Sequence, residues 1–183
     1  MAALLEKYTR DLHGGAPGRP DAAGEGQTVV LTGSTGALGS YLLDVLVRSP
    51  RVRAVVCLNR AADGGAAQQA SAMEARGLLS ATGADGRYAA KVEFHRADPG
   101  RVGWGLPADV YARLLRDADR LLLNAWPVHF QLAAAAFEPH VHGVRAAADL
   151  AARAAKRVAV VLVSSVAAVG RWDARVQIGR AHV

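Results

Sequence analysis

The sequence has one cysteine, three tryptophans, three phenylalanines and four tyrosines in 183 residues, so aromatics make up only 5%. A single cysteine, Cys57, excludes an internal disulfide and makes a reducing, cytoplasmic compartment the default. Cys57 lies within the apolar run 54–58, where a thiol is expected to be buried and inert. The apolar runs all fall well short of the length needed to cross a membrane, and the N-terminus lacks a charged-then-apolar signal pattern. Basic clusters interleaved with aromatics are absent. The net charge of +6 comes mostly from arginine. Arg113, Arg116, Arg145 and Arg153 are spread along helical segments, which reads as solvated helix faces rather than a nucleic-acid surface. His140 and His142 are two apart, too close to share a helix face, and no cysteine or carboxylate set joins them into a metal site. The spacing of Gly33-Ser34-Thr35-Gly36 is wrong for a nucleophile elbow.

What is there is one core's worth of apolar sequence, 51% hydrophobic, ordered as alternating strands and helices. Residues 1–10 can start a short helix. Residues 11–27 are rich in Gly, Pro, Ala and Asp and read as a flexible linker, so the domain proper begins near Gln27. Strands are expected at 28–31, 52–58, 91–94, 120–123 and 158–163. Helices are expected at 38–48, 68–79, 108–115 and 130–155, the last bent at Pro139. The continuously apolar first strand fits a sheet covered on both faces. The expected fold class is α/β: a Rossmann-type, doubly wound parallel sheet, truncated after about the fifth strand.

The organising stretch is Thr32-Gly33-Ser34-Thr35-Gly36-Ala37-Leu38-Gly39. It follows an apolar strand and opens an amphipathic helix, the context that a dinucleotide-binding loop requires. Gly33 suits the tight turn, Gly36 the close approach of a pyrophosphate, and Gly39 the packing of helix on strand. The N–H groups at the helix start then face the phosphate charge.

Strand C-termini line the ligand crevice of such a sheet. The second strand ends in Leu58-Asn59-Arg60, beside the adenosine ribose. An acidic residue there would favour NAD; Asn59 and Arg60 favour NADP, with Arg60 able to hold a 2′-phosphate through two parallel bonds. Asp63 is discounted as lying in the following glycine loop. Arg76 is a second candidate for the phosphate or a solvated helix residue. Asp98, after the third strand, either accepts from the adenine amino group or caps the next turn. Asn124, Ala125 and Trp126 flank the cofactor after the fourth strand; Trp126 either walls the nicotinamide site or packs ordinarily. His129 is the histidine nearest this crevice. Ser165 follows the fifth strand, where a substrate carbonyl would lie.

The residues 31–40, Cys57-Leu58-Asn59-Arg60, Leu106-Pro107 before a helix with Tyr111, Asn124-Ala125-Trp126-Pro127-Val128, Phe137-Glu138-Pro139, Gly143-Val144-Arg145 and Val163-Ser164-Ser165 together resemble a known family. They are similar to the thioester reductase domains of non-ribosomal-peptide-synthetase-like enzymes, aminoadipate reductases and carboxylic acid reductases. These belong to the extended short-chain dehydrogenase/reductase group. The resemblance implies NADP(H) as cofactor and an acyl thioester, carried on the phosphopantetheine arm of an upstream carrier domain, as substrate. An adenylation domain would precede the carrier in the same parent chain. Hydride delivery to the thioester gives a hemithioacetal that collapses to an aldehyde, or is reduced further to an alcohol. Ser165 matches the family's catalytic hydroxyl, and Glu6-Lys7-Tyr8-Thr9 resembles the linker after the carrier domain.

The family's Tyr-x-x-x-Lys pair is missing. Tyr8, Tyr41, Tyr88 and Tyr111 all precede the fifth strand, and none is followed by Lys four residues on. The expectation is therefore an N-terminal part of a reductase domain, inactive alone: residues 1–26 as linker, 27–176 as an incomplete NADP-binding domain, and 177–183 as a non-native tail. The tail Gln177-Ile178-Gly179-Arg180-Ala181-His182-Val183 matches the translation of a common sequencing adapter. Two other readings stay open: a sugar-nucleotide epimerase or dehydratase, against which Asn59-Arg60 argues, and a non-catalytic NADP-sensing regulator. An apolar, unpaired edge is expected at residues 158–163.

Overall fold

The computed structural model describes residues 2–12, 14–78, 87–127, 131 and 133–165. Val128, His129, the residues after Ser165 and the tail 177–183 lie outside that set. The elements in chain order are α1 (Ala2–Thr9), β1 (Gln27–Thr32), α2 (Ala37–Arg48), β2 (Val52–Asn59), α3 (Ala66–Glu74) and α4 (Arg87–Lys91). They continue with β3 (Val92–Arg96), α5 (Ala108–Asp117), β4 (Arg120–Leu123), α6 (Glu138–Arg153) and β5 (Ala159–Leu162). Short 3-10 turns at Val102–Gly105 and Ala134–Phe137 precede α5 and α6.

The five strands form one parallel sheet in the order β3-β2-β1-β4-β5. All six residues of β1 are buried, and its alternating side chains divide between two cores. Val29 and Leu31 pack with Leu43, Val47 and Met73 from α2 and α3. Val30 packs on the opposite face with Leu114 from α5 and Ala147 and Leu150 from α6. A strand with helices on both sides has no solvent face to mark with polar residues, which is why its sequence is an unbroken apolar run. The chain leaves β1 toward β2 on one side and returns to β4 on the other. The crevice of a doubly wound sheet lies at that reversal, between the C-terminal ends of β1 and β4.

The long helix expected at 130–155 is shorter. α6 begins at Glu138, and Pro139 stands in its first turn. Proline is tolerated there because the first N–H groups have no intrahelical partner, so Pro139 marks a start rather than a bend. The third helix is also shorter than expected, ending at Glu74.

The segment before β1, read as a flexible linker, is fastened along α6. Lys7 Nζ lies 2.7 Å from Glu138 Oε1, and the Tyr8 hydroxyl donates to the same oxygen at 3.0 Å. The Arg145 guanidinium donates to the carbonyls of Tyr8, Arg10 and Asp11. Further on, Arg19 Nη1 donates to the carbonyls of Ala151, Ala152 and Ala154 and so caps the C-terminus of α6. At the foot of the sheet, Asp119 accepts from the backbone N–H groups of Ala23 and Thr28 and pairs with Lys156 at 2.5 Å.

Several arginines expected on solvated faces are therefore structural. Arg145 gathers the α1 carbonyls, Arg113 forms a two-bond pair with Glu93 on β3, and Arg153 lies over the Tyr111 ring. At the far side of the sheet, Val160, Val161 and Leu162 of β5 are 43–46% exposed, as expected of an apolar edge. Among the described residues, no helix is long and apolar enough to cross a membrane, and no group of three or more His, Cys, Asp or Glu could hold a metal ion.

Candidate cofactor site

The glycine loop joins β1 to α2. Gly33 turns the chain with φ +68°, a conformation that side chains disfavour. A Cβ there would also stand 2.9 Å from Ala125 Cα, at the end of β4. Gly39 sits in the first turn of α2, where a Cβ would overlap the Gly33 carbonyl oxygen and come within 2.8 Å of Ser34 Cα. Gly36 differs. Its Cβ position meets only the Gly33 carbonyl oxygen, at 3.5 Å, so its front is open. Gly36 also caps α2, and the exposed residues Ala37 and Leu38 follow it. Unpaired N–H groups at the start of a twelve-residue helix behind an open glycine fit the pyrophosphate of a dinucleotide.

The loop is anchored from the β4 side. Thr32 Oγ1 accepts the N–H groups of Asn124 and Ala125, each at 3.0 Å, and Asn124 Nδ2 donates to the Gly33 carbonyl at 3.0 Å. Asn124 and Ala125 thus belong to the site by shaping the loop. Trp126 is 42% exposed and stacks on Phe137 with centroids 5.8 Å apart. The imidazole of His140 packs on its ring at 5.7 Å. Burial and the Arg60 charge push the His140 pKa down, against the opposing effect of its bond to the Ala125 backbone.

The β2 side is more buried than the sequence implied. Asn59 is 8% exposed, and its Nδ2 donates to Ser34 Oγ at 2.9 Å and to the Gly64 carbonyl at 2.7 Å. Its Oδ1 is buried with no partner, an acceptor left over at the strand end where a ribose lies in this fold. Arg60 is exposed beside it. Thr35 packs toward Gly65, where a Cβ would be 2.8 Å from its Cγ2. Asp63 accepts from the N–H groups of Gly65 and Ala67 and caps α3. Those bonds hold its carboxyl below the usual range. Arg76, just beyond α3, donates through Nη1 to the Ala72 carbonyl.

At the β3 end, Asp98 Oδ1 accepts from Gly100 N at 2.9 Å and caps the turn. Ser165 is exposed, three residues beyond β5. The sheet brings Thr32–Gly39, Asn59, Arg60, Asp98, Asn124–Trp126 and Ser165 to one edge, the C-terminal ends of all five strands. The sequence reading gave no role to Ser34, within the loop, or to Ser40 and Gln69 behind it. Ser40 Oγ donates to the Gly36 carbonyl at 2.9 Å, and Gln69 Nε2 donates to Ser40 Oγ at 3.3 Å. A polar residue one turn before Met73 on the buried stripe of α3 was the available signal. Cys57 lies under Ser34, and burial pushes its thiol up to about 12, so it is not a nucleophile.

Comparison with known proteins agrees with this geometry. The NAD-binding family described as male sterility protein matches residues 31–181. A carboxylic acid reductase of Neurospora crassa is 46% identical over 172 residues, covering 94% of this chain and 16% of that protein. An adenylate-forming reductase of Aspergillus terreus is 36% identical over 153 residues, covering 79% of this chain and 14% of that protein. The chain thus spans about a sixth of the length of these relatives. Among solved structures, the terminal R domain of the myxalamid PKS-NRPS pathway superposes with a TM-score of 0.70 at 26% identity, over 89% of this chain and 42% of that one. The reductase domain of a non-ribosomal peptide synthetase from Mycobacterium tuberculosis gives 0.67 at 26% identity, over 93% and 39%. This Rossmann sheet, matched over residues 31–181, belongs to the male sterility protein family of NAD-binding reductase domains.

Proposed function

We propose that this chain is the cofactor-binding part of an NADPH-dependent thioester reductase. Such an enzyme would release an acyl group, carried on a phosphopantetheine arm, as an aldehyde or alcohol. The observation that carries the reading is the open front of Gly36 at the N-terminus of α2, at the sheet's reversal point, with Arg60 exposed at the end of β2.

Bound NADPH supplies hydride to the thioester carbonyl. The chain's own residues bind and orient. The N–H groups of Ala37, Leu38 and Gly39 face the pyrophosphate, favoured by the helix dipole. Arg60 would hold and neutralise a 2′-phosphate, a contact that a bare ribose hydroxyl would not recruit. Asp98 lies at the adenine end of the crevice. Asn124 and Ala125 hold the loop's shape, and the exposed part of Trp126 walls the nicotinamide end. Ser165 donates its hydroxyl hydrogen to the developing oxyanion. An upstream carrier domain presents the substrate, and an adenylation domain loads it.

The test has two arms. Titration of the chain with NADPH and NADH is expected to show NADPH binding at least about tenfold tighter, with Arg60→Glu removing the difference. Equal affinities in the unaltered chain would overturn the NADP reading. In a reductase containing this chain, Ser165→Ala is expected to lower turnover of an acyl thioester by about a hundredfold or more, with little change in NADPH affinity. Unchanged turnover would remove Ser165 from the chemistry.

A further inference from the structure

Gln69 is fully buried, at 0% exposure, in the middle of α3. Its Nε2 donates to Ser40 Oγ at 3.3 Å, and its Oε1 is buried with no partner. Ser40 Oγ in turn lies 2.9 Å from the Gly36 carbonyl and 3.4 Å from the Ser34 carbonyl. Ser40 has one hydroxyl hydrogen, and it is committed to these loop carbonyls. The group facing Ser40 from α3 must therefore be a donor, which fixes the amide with nitrogen toward Ser40 and oxygen away. The leftover buried acceptor is destabilising, a cost that an apolar side chain there would avoid. Stability alone would favour a residue such as Met73, which fills the next turn of the same stripe and is also fully buried.

Asn59 makes the matching contact from β2. Its Nδ2 donates to Ser34 Oγ at 2.9 Å. Two buried carboxamides, on two different elements, thus brace one four-residue loop, Asn59 directly at Ser34 and Gln69 through Ser40 in the first turn and a half of α2. Gly36, whose carbonyl Ser40 grips, has an open front. A peptide group held by its carbonyl from behind is held with the next N–H directed forward.

We propose that Gln69 is a positioning residue for the pyrophosphate: acting through Ser40, it fixes the Gly36 peptide so that the first N–H groups of α2 point at the ligand. The inference rests on the reading of this loop as a dinucleotide site. Gln69 does not touch the ligand; it removes the freedom of the loop to turn its donors inward when the site is empty. Its effect is confined to the pyrophosphate and does not extend to the adenosine end, which β2 and Arg60 provide.

The experiment titrates the 183-residue chain and its variants with NADP+ and with adenosine 2′-monophosphate, which carries the adenosine and 2′-phosphate but no 5′-phosphate. Gln69→Leu is expected to weaken NADP+ about tenfold, the worth of one buried hydrogen bond, while adenosine 2′-monophosphate changes by less than about twofold. Gln69→Glu supplies a readout that a packing role would not move. Protonated, the introduced carboxyl still donates to Ser40; ionised, it accepts and draws the Ser40 hydrogen away from Gly36. Its NADP+ affinity relative to the unaltered chain is therefore expected to be near one at about pH 5 and to fall to the Gln69→Leu level by about pH 8. Taking the ratio at each pH cancels the titration of the ligand and of other groups. Equal loss of both ligands in Gln69→Leu, no loss of either, or a pH-independent ratio in Gln69→Glu would each overturn the proposal. Should Gln69→Leu fail to fold, the Gln69→Glu ratio decides alone. An unaltered chain that binds neither ligand would overturn the cofactor reading itself, a result distinct from all of these.

Discussion

Thr32 Oγ1, at the end of β1, accepts the N–H of Ala125, at the end of β4, at 3.0 Å. The same oxygen takes the N–H of Asn124. One hydroxyl thus joins the two strands that border the crevice, directly beneath the Gly33 turn. Thr32→Val keeps the shape and leaves both donors without that acceptor. It is expected to destabilise the chain by about 1–3 kcal/mol, read from the urea midpoint, and Thr32→Ser is expected to recover most of the loss. A valine variant as stable as the original would show that these bonds carry little.

The glycines of the loop separate folding from binding. Gly39→Ala forces a methyl into the Gly33 carbonyl and Ser34 backbone, so it is expected to lower the melting temperature sharply or abolish folding. Gly36→Ala meets only ordinary contact, at 3.5 Å, on its protein side. It is expected to melt within a few degrees of the original while losing most of its affinity for NADPH, because the methyl fills the space the pyrophosphate needs. Thermal melts with and without NADPH check both.

Cys57 is 0% exposed, and burial pushes its thiol up to about 12, partly opposed by its bond with Ser34. Thiolate is the reactive form, so alkylation by iodoacetamide at pH 8 is expected to be slower in the folded chain than in urea by about three orders of magnitude. Rapid labelling of the folded chain would place the thiol outside the core.

Acid should attack the foot of the sheet. Burial raises the Asp119 carboxyl, but the Lys156 bond and the N–H groups of Thr28 and Ala23 outweigh it and leave it below the usual value. The Arg113 pair lowers Glu93 in the same direction, against its partial burial. A depressed carboxylate contributes stability that is fully present above its unfolded value, near pH 4, and is lost as the pH falls through the folded value. The midpoint in urea is therefore expected to be flat from about pH 7 to 5 and to fall below about pH 4. Asp119→Ala should remove about 3 kcal/mol at pH 7 and flatten that acid fall.

The fold was legible where local pattern decides. The β1 run, the strand–glycine–helix order and the Arg60 position each need only neighbouring residues to be read. Pro139 was misplaced because a proline inside an apparent helical run reads as a bend until the true start, Glu138, is known. The segment before β1 looked loose because composition records its glycines and prolines. What fastens it is Arg145 and Arg19, with partners more than 130 residues away along the chain. Gln69 was invisible for the same reason: its meaning lies in Ser40, 29 residues away.

The fastening of α1 also sets a distance. Lys7 meets the start of α6 at Glu138, and Arg10 and Asp11 meet it two turns later at Arg145. The two helices therefore run in the same direction, and the Ala2 end of α1 points past the start of α6, at the strand edge where the crevice opens. A domain joined ahead of α1 by a short connection would be confined to a small volume over that opening. Its cargo would meet the cofactor at an effective concentration set by tether length, in the millimolar range for a short flexible link, without any docking contact between the two domains. Cutting the tie with Glu138→Ala and Arg145→Ala would enlarge that volume and lower the local concentration of cargo while leaving the crevice as it is.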